Sequence, residues 1–292
     1  MQNVLTTFLQ LIRIKQWPKN IFIFAPLVFS RRLFNSDDFI KTVTIFFAFS
    51  FVCVFVYIIN DIHDKEQDIM HPKKKLRPIA SGEVSPATAL IIGIISFIIG
   101  ITVAFLTGKY MTVAALLIYT ALNLLYTFLL KQFIILDVFI IAVGFCIRVI
   151  IGAVAIGVTT SQWILSTTFA VSLILGFGKR RHELLSLKHN ASGHREILDE
   201  YTPQLLNIMT CISTSITAVS YMFYTMESEI PELLYTFPLV LYALFRYLYL
   251  VYDKNKGGKP EEDLINDKGI IAAVVLWGLL IIGILYCSAG GY

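Results

Sequence analysis

Charged residues are scarce in this sequence: Asp, Glu, Lys and Arg make up 15% of its 292 residues, and hydrophobic residues make up 57%. Soluble domains carry about 25% charged residues, and they lack repeated apolar runs long enough to cross a bilayer. The composition therefore excludes an ordinary soluble protein and predicts an integral membrane protein. No stretch between the apolar runs is long enough for a soluble domain, so we expect one all-α transmembrane domain over residues 1–292.

Cysteine is also sparse: the 4 residues lie inside apolar runs and show no metal-ligand spacing. We interpret them as small buried hydrophobic side chains. The first apolar stretch lacks a preceding basic segment and a following small-residue cleavage site, so we expect no signal peptide. The 5 histidines form no Ser-His-Asp or Cys-His pattern, so nothing indicates a nucleophilic triad.

Apolar runs of about 20 residues, the length that crosses a bilayer as a helix, recur nine times. The predicted spans are residues 20–35, 39–60, 86–107, 110–130, 133–157, 162–179, 203–225, 233–252 and 268–289. The first is the weakest prediction, because Pro26 interrupts it and Arg31 and Arg32 close it.

The distribution of Lys and Arg among the loops predicts the orientation, because cytoplasmic loops carry the excess of these residues. With nine spans and a cytoplasmic N-terminus, 18 of the 24 fall in cytoplasmic loops, 4 fall outside, and Arg148 and Arg246 lie within spans. If one span had been missed, every later loop would be assigned to the wrong side of the membrane, and this excess of cationic residues on one side would be lost. We therefore expect a plasma-membrane protein whose N-terminus and charged loops are cytoplasmic. The net charge of +4 follows from this topology and gives no support to nucleic-acid binding.

The loop after the second span reads NDIHDKEQDIMHPKKKLRP from Asn60. Asp61, Asp64 and Asp68 have i, i+3, i+7 spacing, which places them on one face of a helix that extends from the span. Such carboxylates repel one another unless a cation lies between them, and Mg²⁺ commonly links carboxylates to substrate phosphates. We predict these catalytic aspartates and Asn60 as Mg²⁺ ligands. A solvated helix whose charges coincide in spacing is the competing interpretation.

Cationic residues follow in the same loop and recur after the sixth span. They are suited to binding phosphate oxygens, although the positive-inside rule or anionic lipid also accounts for such clusters. The predicted phosphate-binding set is Lys74, Lys75, Arg77, Lys179, Arg180 and, beside them, Glu183. Two cytoplasmic loops, one metal-binding and one cationic, could together hold a diphosphate.

These motifs resemble the UbiA superfamily of intramembrane prenyltransferases. The pattern NDxxDxxxD ends the second span, a second charged motif follows the sixth, and nine spans are predicted. Within the superfamily the sequence is similar to the branch of decaprenyl-phosphate phosphoribosyltransferases. The residues that carry this similarity are QWPKN from Gln16, ND from Asn60, HP from His71, KK from Lys74, RPIA from Arg77, GKR from Gly178, Glu183, EYT from Glu200 and PEED from Pro260.

The resemblance implies a helix bundle around a central cavity, with Mg²⁺ as cofactor. It implies transfer of 5-phosphoribose from phosphoribosyl diphosphate to a polyprenyl phosphate, with release of diphosphate. It also adds Lys19 and Tyr201 to the substrate-binding residues. The acceptor phosphate is already anionic, so it needs no general base. We expect an oxocarbenium-like displacement with inversion, in which cations neutralise the leaving diphosphate.

The segment KRRHE, from Lys179, departs from the aromatic prenyltransferases of the superfamily, which carry a second aspartate-rich motif there. One carboxylate among cations suits a reaction with two polyanionic substrates better than one with a neutral acceptor. An aromatic prenyltransferase with a polyprenyl diphosphate donor stays open as the alternative. A transporter or channel is also kept, although inverted repeats are not evident. The sequence leaves the prenyl chain length and a homo-oligomeric state undetermined.

Two ionisable residues lie within the fifth predicted span. Arg148 follows Asp137 by eleven residues, about 20° past three helical turns, and Gly144 lies on the same stripe. A charge inside a span costs about 2.5–3.5 kcal/mol, so Arg148 either locks helices in a structural pair with Asp137 or meets a phosphate in a wet cavity. We predict a cavity wall that includes Arg148. Tyr119 and Tyr126 of the fourth span, seven residues apart, are further candidates to line it, although aromatic packing between helices is the favoured role for both.

Overall fold

The computed structural model describes residues 4–71, 73–187, 198, 200–258 and 260–287, and within these residues it contains helices and no strands. Four residues used above for motifs or loop charge lie outside the described residues: Pro72, Lys188, Arg195 and Lys259. The all-α class predicted from the sequence is confirmed.

The α-helices of the described residues are α1 (Val4–Leu11), α2 (Ala25–Phe29), α3 (Ser36–His63), α4 (Lys65–Met70), α5 (Pro86–Leu106), α6 (Tyr110–Phe128), α7 (Leu136–Ile156), α8 (Gln162–Leu187), α9 (Pro203–Glu227), α10 (Phe237–Tyr252), α11 (Pro260–Asn266) and α12 (Lys268–Cys287). Three-ten helices occupy Ile14–Phe24, Lys74–Leu76, Leu130–Gln132 and Pro231–Thr236.

Seven helices in the described part of the chain are long and apolar enough to cross a membrane. They are α3, α5, α6, α7, α9, the stretch Pro231–Tyr252 that contains α10, and α12. Each coincides with a predicted span. An integral membrane protein of this class is therefore the correct interpretation of the composition.

The first and sixth predicted spans show that nine is an approximate count. Residues 20–35 do not form one spanning α-helix, because a three-ten helix with Pro18 inside it leads into α2, which has five residues. The sixth prediction corresponds to α8, which is fully helical. Its polar first turn and its charged C-terminal segment make it less apolar than the seven spans.

Polar caps fix where several spans begin. The side-chain oxygens of Ser85 and Thr202 each accept the backbone N–H three residues later, at 3.1 Å. This satisfies a donor that has no partner inside the first turn. A proline follows each cap, at the helical position where no N–H is needed. The Ser-Pro and Thr-Pro pairs thus set the first residues of α5 and α9.

The chain divides into two compact units. Among the described residues, the first contains residues 4–71, 73–140 and 147–159, and the second contains residues 141–146, 160–187, 198, 200–258 and 260–287. The helices of the first unit carry the aspartate motif, and α8 of the second carries the KRRHE segment. The expectations of a single domain and of a central cavity stay predictions.

In the first unit, α3 is the helix against which α5, α6 and the three-ten helix Ile14–Phe24 pack. Glycines allow close approach of backbones. A Cβ atom at Gly100 of α5 would lie 2.6 Å from the carbonyl oxygen of Ala48, and one at Gly152 would lie 2.0 Å from that of Ile23. Both carbonyls belong to the backbone of a packed helix and cannot move aside, so both positions require glycine.

In the second unit, α8 packs along α9, and the buried face of α9 is rich in hydroxyl residues. The hydroxyls of Thr210, Ser213, Thr214 and Thr217 are buried, and each donates to a carbonyl one turn earlier, at 2.7–2.8 Å. Small side chains that satisfy their own hydrogen bonds suit close packing of helices in lipid.

We expect the change Gly100→Ala to destabilise the protein by about 1–3 kcal/mol, because the added methyl group overpacks against α3. Gly93 is the matched control: it lies seven residues earlier on the same helix face, and a Cβ there meets side-chain atoms at an ordinary 3.5 Å. Gly93→Ala should leave the thermal midpoint of the purified protein in detergent unchanged or slightly raised. Equal midpoints for the two variants would contradict this interpretation of the α3–α5 contact.

Candidate metal and phosphate site

The aspartate motif lies at a break between two helices. The predicted single helix is wrong in this detail: α3 ends at His63, Asp64 has φ −89° and ψ 5°, and α4 begins at Lys65. The carboxylate of Asp64 accepts hydrogen bonds from the side chains of Asn60 and Lys131 at this corner. Asp61, Asp64 and Asp68 are all buried.

Asp61 and Asp68 share one guanidinium group. Nη1 of Arg77 donates to Oδ1 of Asp61 at 3.0 Å and to Oδ2 of Asp68 at 2.5 Å. Arg13 contacts Asp61 from elsewhere: its Nε donates to Oδ2 at 3.2 Å, and its Nη2 donates to Oδ1. Lys74 lies 4.0 Å from Asp68. Two carboxylates therefore converge on a single cationic nitrogen.

Asp64 has a different set of partners. Its Oδ1 accepts a hydrogen bond from the ammonium group of Lys131, which lies in the three-ten helix after α6. Its Oδ2 accepts a hydrogen bond from the side-chain amide nitrogen of Asn60 at 3.0 Å. The oxygen of that amide in turn accepts a hydrogen bond from the hydroxyl of Thr127 at 3.4 Å. The Asp64 and Lys131 side chains are each 10% exposed, so this is a nearly buried ion pair.

Each buried carboxylate of the motif thus has a cationic partner. Burial raises the pKa of Asp68, and the positive charges of Arg77 and Lys74 oppose that rise by favouring the ionised form. Asp68 consequently takes up a proton at a higher pH than an ordinary aspartate does. In the described residues, no three Asp, Glu, His or Cys side chains are arranged as a ready metal site.

The pair Asp61 and Asp68 nevertheless fits a divalent cation. Both residues direct an oxygen toward the same positive centre, and carboxylate oxygens are the ligands that Mg²⁺ prefers. Asn60 and Asp64 contact each other beside this pair through the helix corner. The donor set therefore has the chemistry that a magnesium site needs, with Asp61 and Asp68 as its core.

Two cations of the cluster were not identified as site residues from the sequence. Arg13 and Lys131 counted only as loop charges, yet they contact Asp61 and Asp64 across 48 and 67 residues of sequence. Arg13 also has a left-handed backbone, with φ 49°, and its guanidinium lies 5.0 Å from the centre of the Tyr57 ring. Proximity to the QWPKN motif was the one sequence signal that pointed to Arg13.

The remaining predicted residues of the first unit lie in different surroundings. Lys75 is exposed in the three-ten helix Lys74–Leu76. Lys19 is partly buried in the three-ten helix Ile14–Phe24, and Tyr126 is partly buried on α6. The site assignments of these residues stay predictions.

Arg148 is only 5% exposed and lies in an interior polar network of the first unit. Its Nε donates to Oδ1 of Asn20 at 2.8 Å, and its Nη2 donates to the hydroxyl of Tyr119 at 3.1 Å. The guanidinium also lies over the ring of Phe49, 4.8 Å from its centre. These contacts favour a structural role over direct phosphate binding. Asn20, which belongs to the QWPKN motif, was not recognised from the sequence as a partner of Arg148.

In the second unit, the KRRHE segment forms the C-terminal part of α8. Arg180 is 3% exposed and forms an ion pair with Glu183, one turn away. Arg181 donates to Oδ1 of Asn207 and to the carbonyl of Val251, both at 2.9 Å. The segment's carboxylate thus neutralises a neighbouring cation, while Arg181 ties α8 to α9 and α10.

Two further predicted residues belong to the second unit. Lys179 is exposed at the surface of α8, and Tyr201 is buried just before the first turn of α9. In its described residues, the segment after the sixth predicted span therefore presents positive charge and no second cluster of carboxylates.

Together these features define an integral membrane protein with buried carboxylates, each paired with a cation, at one end of a spanning helix. The model of the UbiA prenyltransferase family matches residues 22–261. The chain belongs to this family of membrane-embedded transferases, so the family resemblance drawn from the sequence is confirmed.

Two curated relatives resemble the chain over nearly its whole length. A decaprenyl-phosphate phosphoribosyltransferase of Corynebacterium glutamicum is 30% identical over 98% of this chain and 88% of its own. A protein of the same name from Mycobacterium tuberculosis is 26% identical over 94% of this chain and 93% of its own. The branch suggested by the sequence motifs is therefore the one in which these relatives are found.

The fold is shared with a UbiA homolog from Archaeoglobus fulgidus, whose structure was solved bound to GPP and Mg²⁺. The TM-score is 0.74 at 17% identity, over 95% of this chain and 99% of the homolog. At this identity the likeness establishes the fold alone.

We expect Lys131→Met to destabilise the protein by about 3 kcal/mol, because it leaves the buried carboxylate of Asp64 without its cation. The double variant Lys131→Met with Asp64→Asn should recover much of the loss, since it removes both charges. The measurement is the thermal midpoint in detergent. A double variant less stable than Lys131→Met would argue against a buried ion pair at this corner.

Proposed function

We propose that this protein transfers 5-phosphoribose from phosphoribosyl diphosphate to a polyprenyl phosphate in a Mg²⁺-dependent reaction that releases diphosphate. The observation that carries the proposal is the convergence of Asp61 and Asp68 on one cationic nitrogen beside further cations. The near full-length similarity to proteins named decaprenyl-phosphate phosphoribosyltransferase supports the choice of substrates.

The donor is assigned to the aspartate cluster of the first unit. Asp61 and Asp68 would hold the metal, with Asn60 and Asp64 beside them. Mg²⁺, when bound, neutralises charge on the diphosphate leaving group. Lys74 and Arg77 lie next to the same carboxylates, so their charges are placed to meet phosphate oxygens that such a metal leaves uncovered. The exposed Lys75 adds to the positive potential of the loop.

The chemistry needs charge neutralisation more than proton transfer. The bond between the anomeric carbon and the diphosphate oxygen breaks, and an oxygen of the lipid phosphate forms the new bond to that carbon. The phosphate is already ionised, so the chain need not supply a general base. Fixed positive charges act strongly where water is excluded, and burial of the aspartates indicates such surroundings.

The lipid acceptor is assigned to the bilayer and to the cationic segment of α8. Burying one methylene is worth about 0.8 kcal/mol, so a polyprenyl tail should stay among apolar helices and present only its phosphate. Lys179 and Arg180 are the cations proposed to meet that phosphate. Because Glu183 is the one carboxylate of the KRRHE segment, this segment is poorly suited to hold a second metal ion. This disfavours the alternative of an aromatic prenyltransferase.

The direct test is incubation of purified protein with Mg²⁺, phosphoribosyl diphosphate and a polyprenyl phosphate, followed by mass analysis of the lipid. We expect a phosphoribosylated lipid, its loss in excess EDTA, and a rate at least about 100-fold lower for Asp61→Asn or Asp68→Asn, because a single preorganised electrostatic contact supplies that much.

Asp37→Asn is the matched control for this test. Asp37 is an exposed carboxylate on the first turn of α3, at the opposite end of the helix that carries Asp61. This variant should retain full activity. Full activity of Asp61→Asn in EDTA would rule out the metal-dependent site. Prenylation of 4-hydroxybenzoate from a polyprenyl diphosphate, without any phosphoribosyl lipid, would establish the alternative instead.

The orientation can be tested with single cysteines in a background without the four native ones. Lys75 and Lys41 are both exposed, and they lie beyond opposite ends of the apolar part of α3. A cysteine at position 75 should react in intact cells only with reagents that cross the membrane. One at position 41 should also react with impermeant reagents. Labelling of position 75 by impermeant reagents would contradict the cytoplasmic location proposed for this loop.

A further inference from the structure

Arg77 occupies the position between Asp61 and Asp68 that suits a divalent cation. Its Nη1 lies 3.0 Å from one carboxylate oxygen and 2.5 Å from the other. Magnesium binds oxygen ligands at about 2.0–2.1 Å and demands regular octahedral geometry. A guanidinium nitrogen hydrogen-bonded to both oxygens fills that space, and a second cation placed there would repel it.

We propose that Arg77 is a resident cation that exchanges with the metal. Without the metal it holds Asp61 and Asp68 together, and when the metal binds it leaves these oxygens and moves toward the donor phosphates. The inference rests on the proposed function for the existence of the metal. It adds that the same side chain has two positions, and that metal binding decides between them.

The contacts distinguish Arg77 from Arg13, the other arginine of the cluster. Arg13 follows α1, contacts both oxygens of Asp61 and lies over the ring of Tyr57. When Arg77 leaves, Oδ1 of Asp61 keeps the hydrogen bond from Nη2 of Arg13 and gains a lone pair that can serve a metal, so Arg13 can stay in place. Arg13 thus acts as a fixed support of Asp61.

Arg77 has more freedom to move than the carboxylates it joins. Its side chain is 28% exposed, against 3% for that of Asp68. It follows the short three-ten helix Lys74–Leu76 and has an extended backbone, with φ −67° and ψ 142°. A long arginine side chain at such a position can swing its guanidinium toward solvent while its backbone stays in place.

The exchange couples the metal to the sugar donor. Before the metal binds, Arg77 prevents Asp61 and Asp68 from repelling each other. After the metal binds, the released guanidinium can bind phosphate oxygens in the bidentate geometry for which arginine is suited. The phosphates of the polyanionic donor can then balance the positive charge that the metal adds beside the carboxylates.

The test compares Mn²⁺ affinity among wild type, Arg77→Gln and Lys73→Gln in the full-length protein, measured by electron paramagnetic resonance of free Mn²⁺. Lys73 is the matched control, because it is an exposed cation of the same loop. We expect Arg77→Gln to bind Mn²⁺ about tenfold more tightly than wild type, since a competing cation is gone. Lys73→Gln should stay within about twofold of wild type.

A second measurement uses wild-type protein, so it remains informative even if the Arg77→Gln variant fails to fold. Modification of Arg77 by phenylglyoxal, followed by peptide mass spectrometry, should accelerate when Mn²⁺ is added, while modification of Arg13 should not. Weaker or unchanged Mn²⁺ binding by Arg77→Gln, or protection of Arg77 by the metal, would overturn the exchange and leave the proposed reaction intact. Failure of wild type to bind Mn²⁺ would overturn both.

Discussion

The neutralisation of three buried carboxylates at one end of α3 is the constraint on which the site depends. An ionised carboxylate taken out of water without a partner costs several kcal/mol. Asp61, Asp64 and Asp68 are at most 7% exposed. Their partners come from the chain before α3, from the loop after it and from the three-ten helix that follows α6. The spanning helices must therefore place these segments around the helix corner before the aspartates can be buried.

Close packing of backbones within the first unit makes that placement reproducible. Without a hydrophobic driving force between helices in lipid, association depends on close contacts and on hydrogen bonds. Gly100 and Gly152 bring backbones together at distances that no other residue permits. The Arg148 network joins Asn20, of the segment before α3, to Tyr119 of α6. A charge that would be costly alone in a span thus links elements of the first unit.

The two charged motifs use different electrostatics. The aspartate motif gathers negative charge and balances it with cations from distant segments. The KRRHE segment has one carboxylate, Glu183, which is neutralised by its neighbour Arg180, and a second arginine, Arg181, that ties α8 to α9 and α10. The proposal of two phosphorylated substrates rests on this contrast between a motif rich in carboxylates and a cationic one. That combination agrees with the branch of the UbiA prenyltransferase family in which the curated relatives fall.

The sequence by itself determined the class, seven spans and the location of the aspartate motif. These follow from local properties: apolar length, the Ser-Pro and Thr-Pro caps, and the spacing of Asp61, Asp64 and Asp68. The tertiary structure decided which cation meets which carboxylate, because Arg13 and Lys131 reach the motif across 48 and 67 residues. The tertiary structure also shows that the helix predicted through the motif is interrupted at Asp64. It places the guanidinium of Arg148 against Asn20, Tyr119 and Phe49. A charged side chain has no periodicity that reveals its partner, so its role depends on the packing of segments far apart in the chain.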